Sequence, residues 1–176
     1  MKKAYVIWFT GRHGSGKSTI AGRLSKIFKS KNIPFVLLDG DEVRKAVSFD
    51  LGYSLDDRNK HMKRVAGMCK LISGSGVNVI ASVASPTEKS REYARSNLKN
   101  LFMVYVKCSA EVCERRDVKG HYKKARLKEK GYENFVGIHA PFEEPRKVDI
   151  TLETEKESID VCMAKLEKAL EHKEII

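Results

Sequence analysis

The residues of this chain most able to do chemistry are a glycine run ending in a lysine, and a pair of carboxylates further on. The run is Gly11-Arg12-His13-Gly14-Ser15-Gly16-Lys17-Ser18-Thr19, which satisfies G-x-x-x-x-G-K-[ST] in full. Glycines let the backbone curl until its N–H groups converge on one anion, and a helix starting there adds its positive N-terminal end. Lys17 is placed to bridge the phosphates of a nucleoside triphosphate, and Ser18 to offer its hydroxyl to Mg²⁺. Thr19 lies one position further into the helix. The nine residues Gly11 to Thr19 are therefore candidate ATP contacts. A glycine turn that binds nothing is the competing reading, and it does not need the strand before and the helix after that this mechanism demands.

The second constellation is Asp39-Gly40-Asp41-Glu42-Val43-Arg44. Carboxylates at the carboxyl edge of a sheet, beside a phosphate loop, have two jobs open to them. One can hold the hydrated metal, and the other can take the proton of an attacking oxygen or orient it. Either can instead cap a helix. Kinases, guanine-nucleotide switches and ATP-driven motors share the phosphate cradle. No N/T-K-x-D element on a late strand, and no DxxG beside a second metal ligand, supports a guanine switch.

These groups need a scaffold. Apolar, β-rich runs at 5–9, 35–38, 77–83, 102–106 and 148–152 alternate with helical patterns near 18–30, 56–73, 87–97, 110–116 and 158–172. Such alternation predicts an α/β, three-layer fold: a mainly parallel five-stranded sheet with helices on both faces. At 176 residues and 41% hydrophobic, the chain is expected to form one domain, 1–176. From Asp117 to Arg146 the regular pattern gives way to glycines and seven lysines and arginines, which reads as a mobile basic lid.

A net charge of +11 admits nucleic acid, small anions or simple surface lysine excess. No nucleic-acid module is recognisable, so small anions are the expected partners rather than nucleic acid. The apolar run 4–9 is too short for a membrane span, and Lys2 and Lys3 precede no signal-peptide pattern. The expectation is a cytoplasmic protein without a membrane partner. Cys69, Cys108, Cys113 and Cys162 lack close CxxC pairing and are expected to be reduced, mostly buried thiols.

From Val6 to about Thr154 the sequence resembles the adenylyl-sulfate kinase family of P-loop kinases, which phosphorylate the 3′-hydroxyl of adenosine 5′-phosphosulfate. The pieces are WFTGRHGSGKST, LDGDEVR, DLGYSLDDR, Ser85-Pro86, RDVKGHYKKAR, NFVGI and APFEEP. The resemblance implies ATP and Mg²⁺ as cofactors, with Ser18 on the metal and Asp39 in its outer sphere. It implies Asp41 as the base at the acceptor, with Lys17, Ser85 and Lys119 as its catalytic companions. Arg44, Arg58, His61, Ala84, Ser85, Lys119 and Asn134 would hold the anionic nucleotide acceptor, with Tyr53 and Phe135 sandwiching its adenine. The resemblance implies a phosphoserine intermediate at Ser85, but a serine beside a γ-phosphate can equally be a hydrogen-bond donor, and direct in-line transfer suffices for this chemistry. Lys119, Asn134, Phe135 and Gly137 fall on the lid. A homodimer is also implied. The chain departs from the family pattern on the acceptor side: His61 for asparagine, Thr87 for tyrosine, His121 for leucine and His139 for aspartate. A related kinase acting on another nucleotide with a modified phosphate, and an ATP-gated binding module, are the alternatives.

Overall fold

In the computed structural model, which describes residues 3–117 and 119–176, strand β1 (Val6–Thr10) is buried at every position. Lys2, and Val118 of the expected lid, lie outside the described residues. Side chains alternate across a strand, and both faces of β1 are apolar, so it must lie between two layers. Ile7 and Phe9 enter one core with Ile20, Leu24 and Phe28 of α1 (Lys17–Ser30) and Met163, Leu166 and Leu170 of α7 (Ile159–His172). Val6 and Trp8 enter the other, with Met62 and Val65 of α3 (Leu55–Gly74) and Ala94 of α4 (Glu88–Asn97).

The remaining strands are β2 (Phe35–Asp39), β3 (Asn78–Ser82), β4 (Leu101–Lys107) and β5 (Ile150–Glu153). The sheet has five strands in the order β2-β3-β1-β4-β5, every pair parallel. Parallel register brings the carboxyl ends to one edge: Asp39 lies opposite Ser82, and Ser82 opposite Phe9. The loop that follows β1 therefore emerges beside Asp39.

Two helices stand where the sequence pattern suggests none. One is α2 (Gly40–Val47), with Val43 its one buried residue; an eight-residue helix with a single core contact leaves no periodic stripe to read. Its signal is the capping group, for the Asp39 side chain accepts from the Asp41 N–H. The other is α6 (His121–Arg126), within the basic segment after α5 (Ala110–Arg116). That segment folds as a flap with its own apolar cluster, Tyr122, Ala125 and Phe135 packing on Cys108 and Cys113 of the main body. Phe142 stacks on Tyr105 at 6.2 Å and anchors the flap's far end. Strand β5 begins two residues later than its apolar run, because the Asp149 carboxylate is spent on the Met103 N–H.

Candidate active site

Helices α2, α3, α4, α5 and α7 each begin on a side chain that caps them, whereas α1 begins on Gly16 with no cap and no acidic residue in its first turn. The orphan N–H groups of α1 are left to a ligand, and an anion suits them. Upstream, the loop needs its glycines. Gly14 has φ +77°, and a Cβ there would lie 2.7 Å from the Cys113 carbonyl oxygen. The Thr154 hydroxyl donates to the Ser15 carbonyl at 2.7 Å, and the Tyr122 hydroxyl to the His13 carbonyl at 2.9 Å. The loop is thus braced from β5 and from the flap.

Lys17 is buried, and its Nζ donates to the Arg12 carbonyl at 2.5 Å, across the concavity of the loop. Burial lowers its pKa to about 8. An incoming phosphate would replace one carbonyl dipole with full negative charge and draw the ammonium off the loop. Ser18 Oγ lies 3.4 Å from Asp39 Oδ2 and 3.5 Å from Ser82 Oγ. Those three oxygens make a hard, partly charged edge beside the loop.

A cavity of about 490 Å³ opens from this edge. Of the nine loop residues, His13, Gly14, Gly16, Lys17, Ser18 and Thr19 reach its wall. Gly11, Arg12 and Ser15 do not: Gly11 packs against Val106, Ser15 is buried, and the Arg12 guanidinium sits 4.9 Å over the Phe142 ring. Asp41 faces the cavity and accepts from Lys119 Nζ at 3.1 Å. Burial pushes the Asp41 carboxyl up, but the Lys119 hydrogen bond and the nearby positive groups hold it below its ordinary value. It is ionised at neutral pH, ready to accept a hydrogen bond from a hydroxyl. With both partners about half exposed, the pair is an orienting device more than a source of stability.

Past Asp41 several of the residues expected to bind an acceptor gather around one guanidinium. Arg58 is buried, donates from Nε to the Tyr53 carbonyl and from Nη2 to the Asn134 carbonyl, each at 3.0 Å, and lines the cavity. Arg44 lies 4.8 Å over the Tyr53 ring and donates to the Gly52 carbonyl. Among the described residues neither arginine pairs with a carboxylate. Burial, then Arg44, lowers the Arg58 pKa to about 10, still a cation at neutral pH. Arg44, Tyr53, Asn134 and Phe135 do not reach the cavity wall.

Three residues depart from the roles their types suggest. Phe135, read as half of an adenine sandwich, is buried, with one face toward His13 at 5.2 Å and its edge toward Tyr122. Tyr53 is open to solvent. His61, read as a donor to the anion, has both nitrogens spent within the chain: Nε2 lies 3.2 Å from the Gly40 carbonyl and Nδ1 2.9 Å from Ser48 Oγ. A carbonyl only accepts, so Nε2 carries the proton and Nδ1 accepts from Ser48. Ser85 is fully buried at φ +43°. Ser90 spends its proton on the Thr87 carbonyl, so Ser85 Oγ donates to Ser90 Oγ at 3.0 Å. Ser85 is thus a bonded corner of the cavity beside Ala84.

Sequence reasoning missed Arg116, Asp117 and Ser82 on the cavity wall. Arg116 donates to the Thr154 carbonyl at 2.7 Å, and its signal lay in the RDVKG stretch. Ser82 is legible only from strand register.

A parallel sheet with an uncapped helix after its central strand, a phosphate loop and a flap closing over them define a P-loop phosphotransferase. The chain belongs to the adenylyl-sulfate kinase family, whose model, described as Adenylylsulphate kinase, matches residues 3–153. It is 41% identical over 176 residues to the adenylyl-sulfate kinase of Clostridium acetobutylicum, covering 99% of this chain and 87% of that one. It is 44% identical over 163 residues to that of Thermodesulfovibrio yellowstonii, covering 91% and 80%. The Mycobacterium tuberculosis APS kinase, solved in complex with AMPPNP and APS, superposes with a TM-score of 0.89 at 33% identity, over 97% of this chain and 99% of that one.

Proposed function

We propose that the chain transfers the γ-phosphoryl group of ATP to the 3′-hydroxyl of adenosine 5′-phosphosulfate, giving 3′-phosphoadenosine 5′-phosphosulfate and ADP. The observation that carries this reading is the pair Arg44 and Arg58, two cations without carboxylate partners among the described residues, set just past Asp41. They suit a doubly anionic tail on the acceptor, and the solvent-exposed part of the Tyr53 ring beside them suits its base. Family membership, and the APS bound to the M. tuberculosis relative, support the same acceptor.

In this reading the phosphate loop and Lys17 hold the triphosphate with its γ-phosphorus at the mouth of the cavity. Asp41 accepts a hydrogen bond from the acceptor hydroxyl and takes its proton as the new O–P bond forms. The bond from γ-phosphorus to the bridging oxygen breaks in line, and ADP leaves with that electron pair. Lys119 holds Asp41 and excludes water from its side. The bonded Ser85 favours direct transfer over a phosphoserine relay. Mg²⁺ would neutralise the phosphates. No cluster of three His, Cys, Asp or Glu is found among the described residues, and the oxygens of Ser18 and Asp39 suit an ion held mainly by phosphate and water. A homodimer and a cytoplasmic setting belong to the same proposal through family membership.

The test is ADP release with Mg-ATP and a panel of adenosine 5′-phosphosulfate and other adenosine and cytidine nucleotides. Turnover with adenosine 5′-phosphosulfate, yielding a 3′-phosphorylated product, is expected. Its absence refutes the assignment, and turnover of another nucleotide instead identifies a related kinase with a changed acceptor.

A further inference from the structure

Arg91 of α4 is fully buried and does not reach the cavity wall. A buried cation is costly unless it is paired and hydrogen-bonded, and Glu88, one turn back on the same helix, supplies the pairing through Nε at 3.0 Å. Neutrality needs no more than that carboxylate. The guanidinium nevertheless reaches two further segments, donating from Nη1 to the Ser85 carbonyl and from Nη2 to the Glu143 carbonyl, each at 2.7 Å. One is the corner after β3 that forms part of the cavity wall, and the other is the far end of the flap. The same two segments meet directly where the Glu143 N–H donates to the Pro86 carbonyl at 2.9 Å.

The corner has a conformation that needs holding. Ser85 sits at φ +43°, in the left-handed region that residues with a side chain rarely adopt. The Thr10 hydroxyl has one proton to give; its oxygen lies 2.9 Å from the Ala84 carbonyl and 3.3 Å from the Ser85 carbonyl, and the Gly11 N–H also donates to Ala84. Arg91 is therefore the principal donor to the Ser85 carbonyl. Thr10 and Arg91 are both fully buried, so this carbonyl is directed into the protein and its negative end is kept off the cavity. Without the guanidinium it would lose its charged donor, and the corner would be free to relax toward an ordinary φ.

We propose that Arg91 is a positioning residue for acceptor binding: by holding the Ser85 carbonyl away from the cavity and tying the flap's far end to the same corner, it shapes the wall against which the anionic acceptor lies. This rests on the acceptor assigned above. The phosphate loop is braced instead from β5 and by Tyr122, so the ATP side does not depend on Arg91.

The experiment measures kcat, KM for adenosine 5′-phosphosulfate, KM for ATP and Tm in the full chain. Arg91→Lys keeps a charge beside Glu88, but one ammonium cannot replace a planar fork that serves a carboxylate and two carbonyls at once. It should raise KM for adenosine 5′-phosphosulfate by about tenfold or more, with KM for ATP unchanged. Arg91→Met, which has no donor, should raise it at least as far, and Arg91→Lys decides the matter where the methionine variant fails to fold. Glu88→Gln separates positioning from stability: it removes the ion pair and should lower Tm, yet it leaves Arg91 both carbonyls and should keep both KM values. An acceptor KM unchanged in Arg91→Lys, one that rises only in step with KM for ATP, or one raised equally by Glu88→Gln overturns the proposal while leaving the kinase assignment standing. Absence of wild-type turnover with adenosine 5′-phosphosulfate overturns the assignment itself, and this inference with it.

Discussion

Replacing His61 with asparagine, the family's residue there, probes how the helix that carries Asp41 is held. His61 on α3 bonds the first residue of α2 through the Gly40 carbonyl and its C-cap through Ser48 Oγ, so one ring pins both ends. A shorter amide cannot span both, and losing one buried bond costs about 1–3 kcal/mol. The pH dependence is the sharper readout. Burial first, then Arg44, lowers the His61 pKa from 6.5 to about 4. A group depressed in the folded state contributes its stability above the unfolded value and loses it as pH falls from 6.5 toward 4. Between pH 7 and pH 5 this amounts to about 2 kcal/mol, from 1.36 kcal/mol per unit. For a chain of this length that is a shift of roughly 4–8 °C in Tm. Urea or thermal unfolding at the two pH values measures it, in a window that lies above most carboxylate titrations. The asparagine variant should be less stable at pH 7, yet its loss on going to pH 5 should be smaller than the wild type's by about 2 kcal/mol. Equal losses in the two proteins would refute the claim that His61 is folded as a neutral, doubly bonded imidazole.

Asp41→Ala should lower kcat by several orders of magnitude while ATP still binds, because the phosphate loop does not depend on that carboxylate; a nearly normal rate in an ADP-release assay argues against Asp41 as the group that meets the hydroxyl. Tyr53→Ala and Phe135→Ala should part company despite their similar chemistry. Tyr53 is 43% exposed, so its loss should leave Tm nearly unchanged and weaken acceptor binding by about 1–3 kcal/mol, read as KM. Phe135 is 4% exposed in the flap's own cluster, so its loss should cost roughly 3–5 kcal/mol and lower Tm. Equal Tm values for the two variants would contradict the packing described for the flap.

The phosphate loop, the strand and helix alternation and the acidic pair after β2 are local features. Glycine spacing, apolar periodicity and a capping carboxylate act within a few residues of chain, so all three are legible without coordinates. The same holds for the positions of Arg44 and Arg58, each on its own short motif. What tertiary structure decided is where the polar atoms of those side chains are spent. His61, Ser85 and Phe135 have the right types at the right positions, but Ser48, Ser90 and His13, distant in sequence or hidden by the turn of the chain, take up their hydrogen bonds and faces. Helix α6 forms because Tyr122 and Ala125 find Cys108 and Cys113 across the flap, a contact absent from any local period. Sequence therefore determined that this chain carries a triphosphate cradle beside two carboxylates and two arginines. Only the fold, by spending the polar atoms of His61 and Ser85 within the chain and bringing Arg58 and Asp41 to the cavity wall, decided which residues remain available to a second substrate.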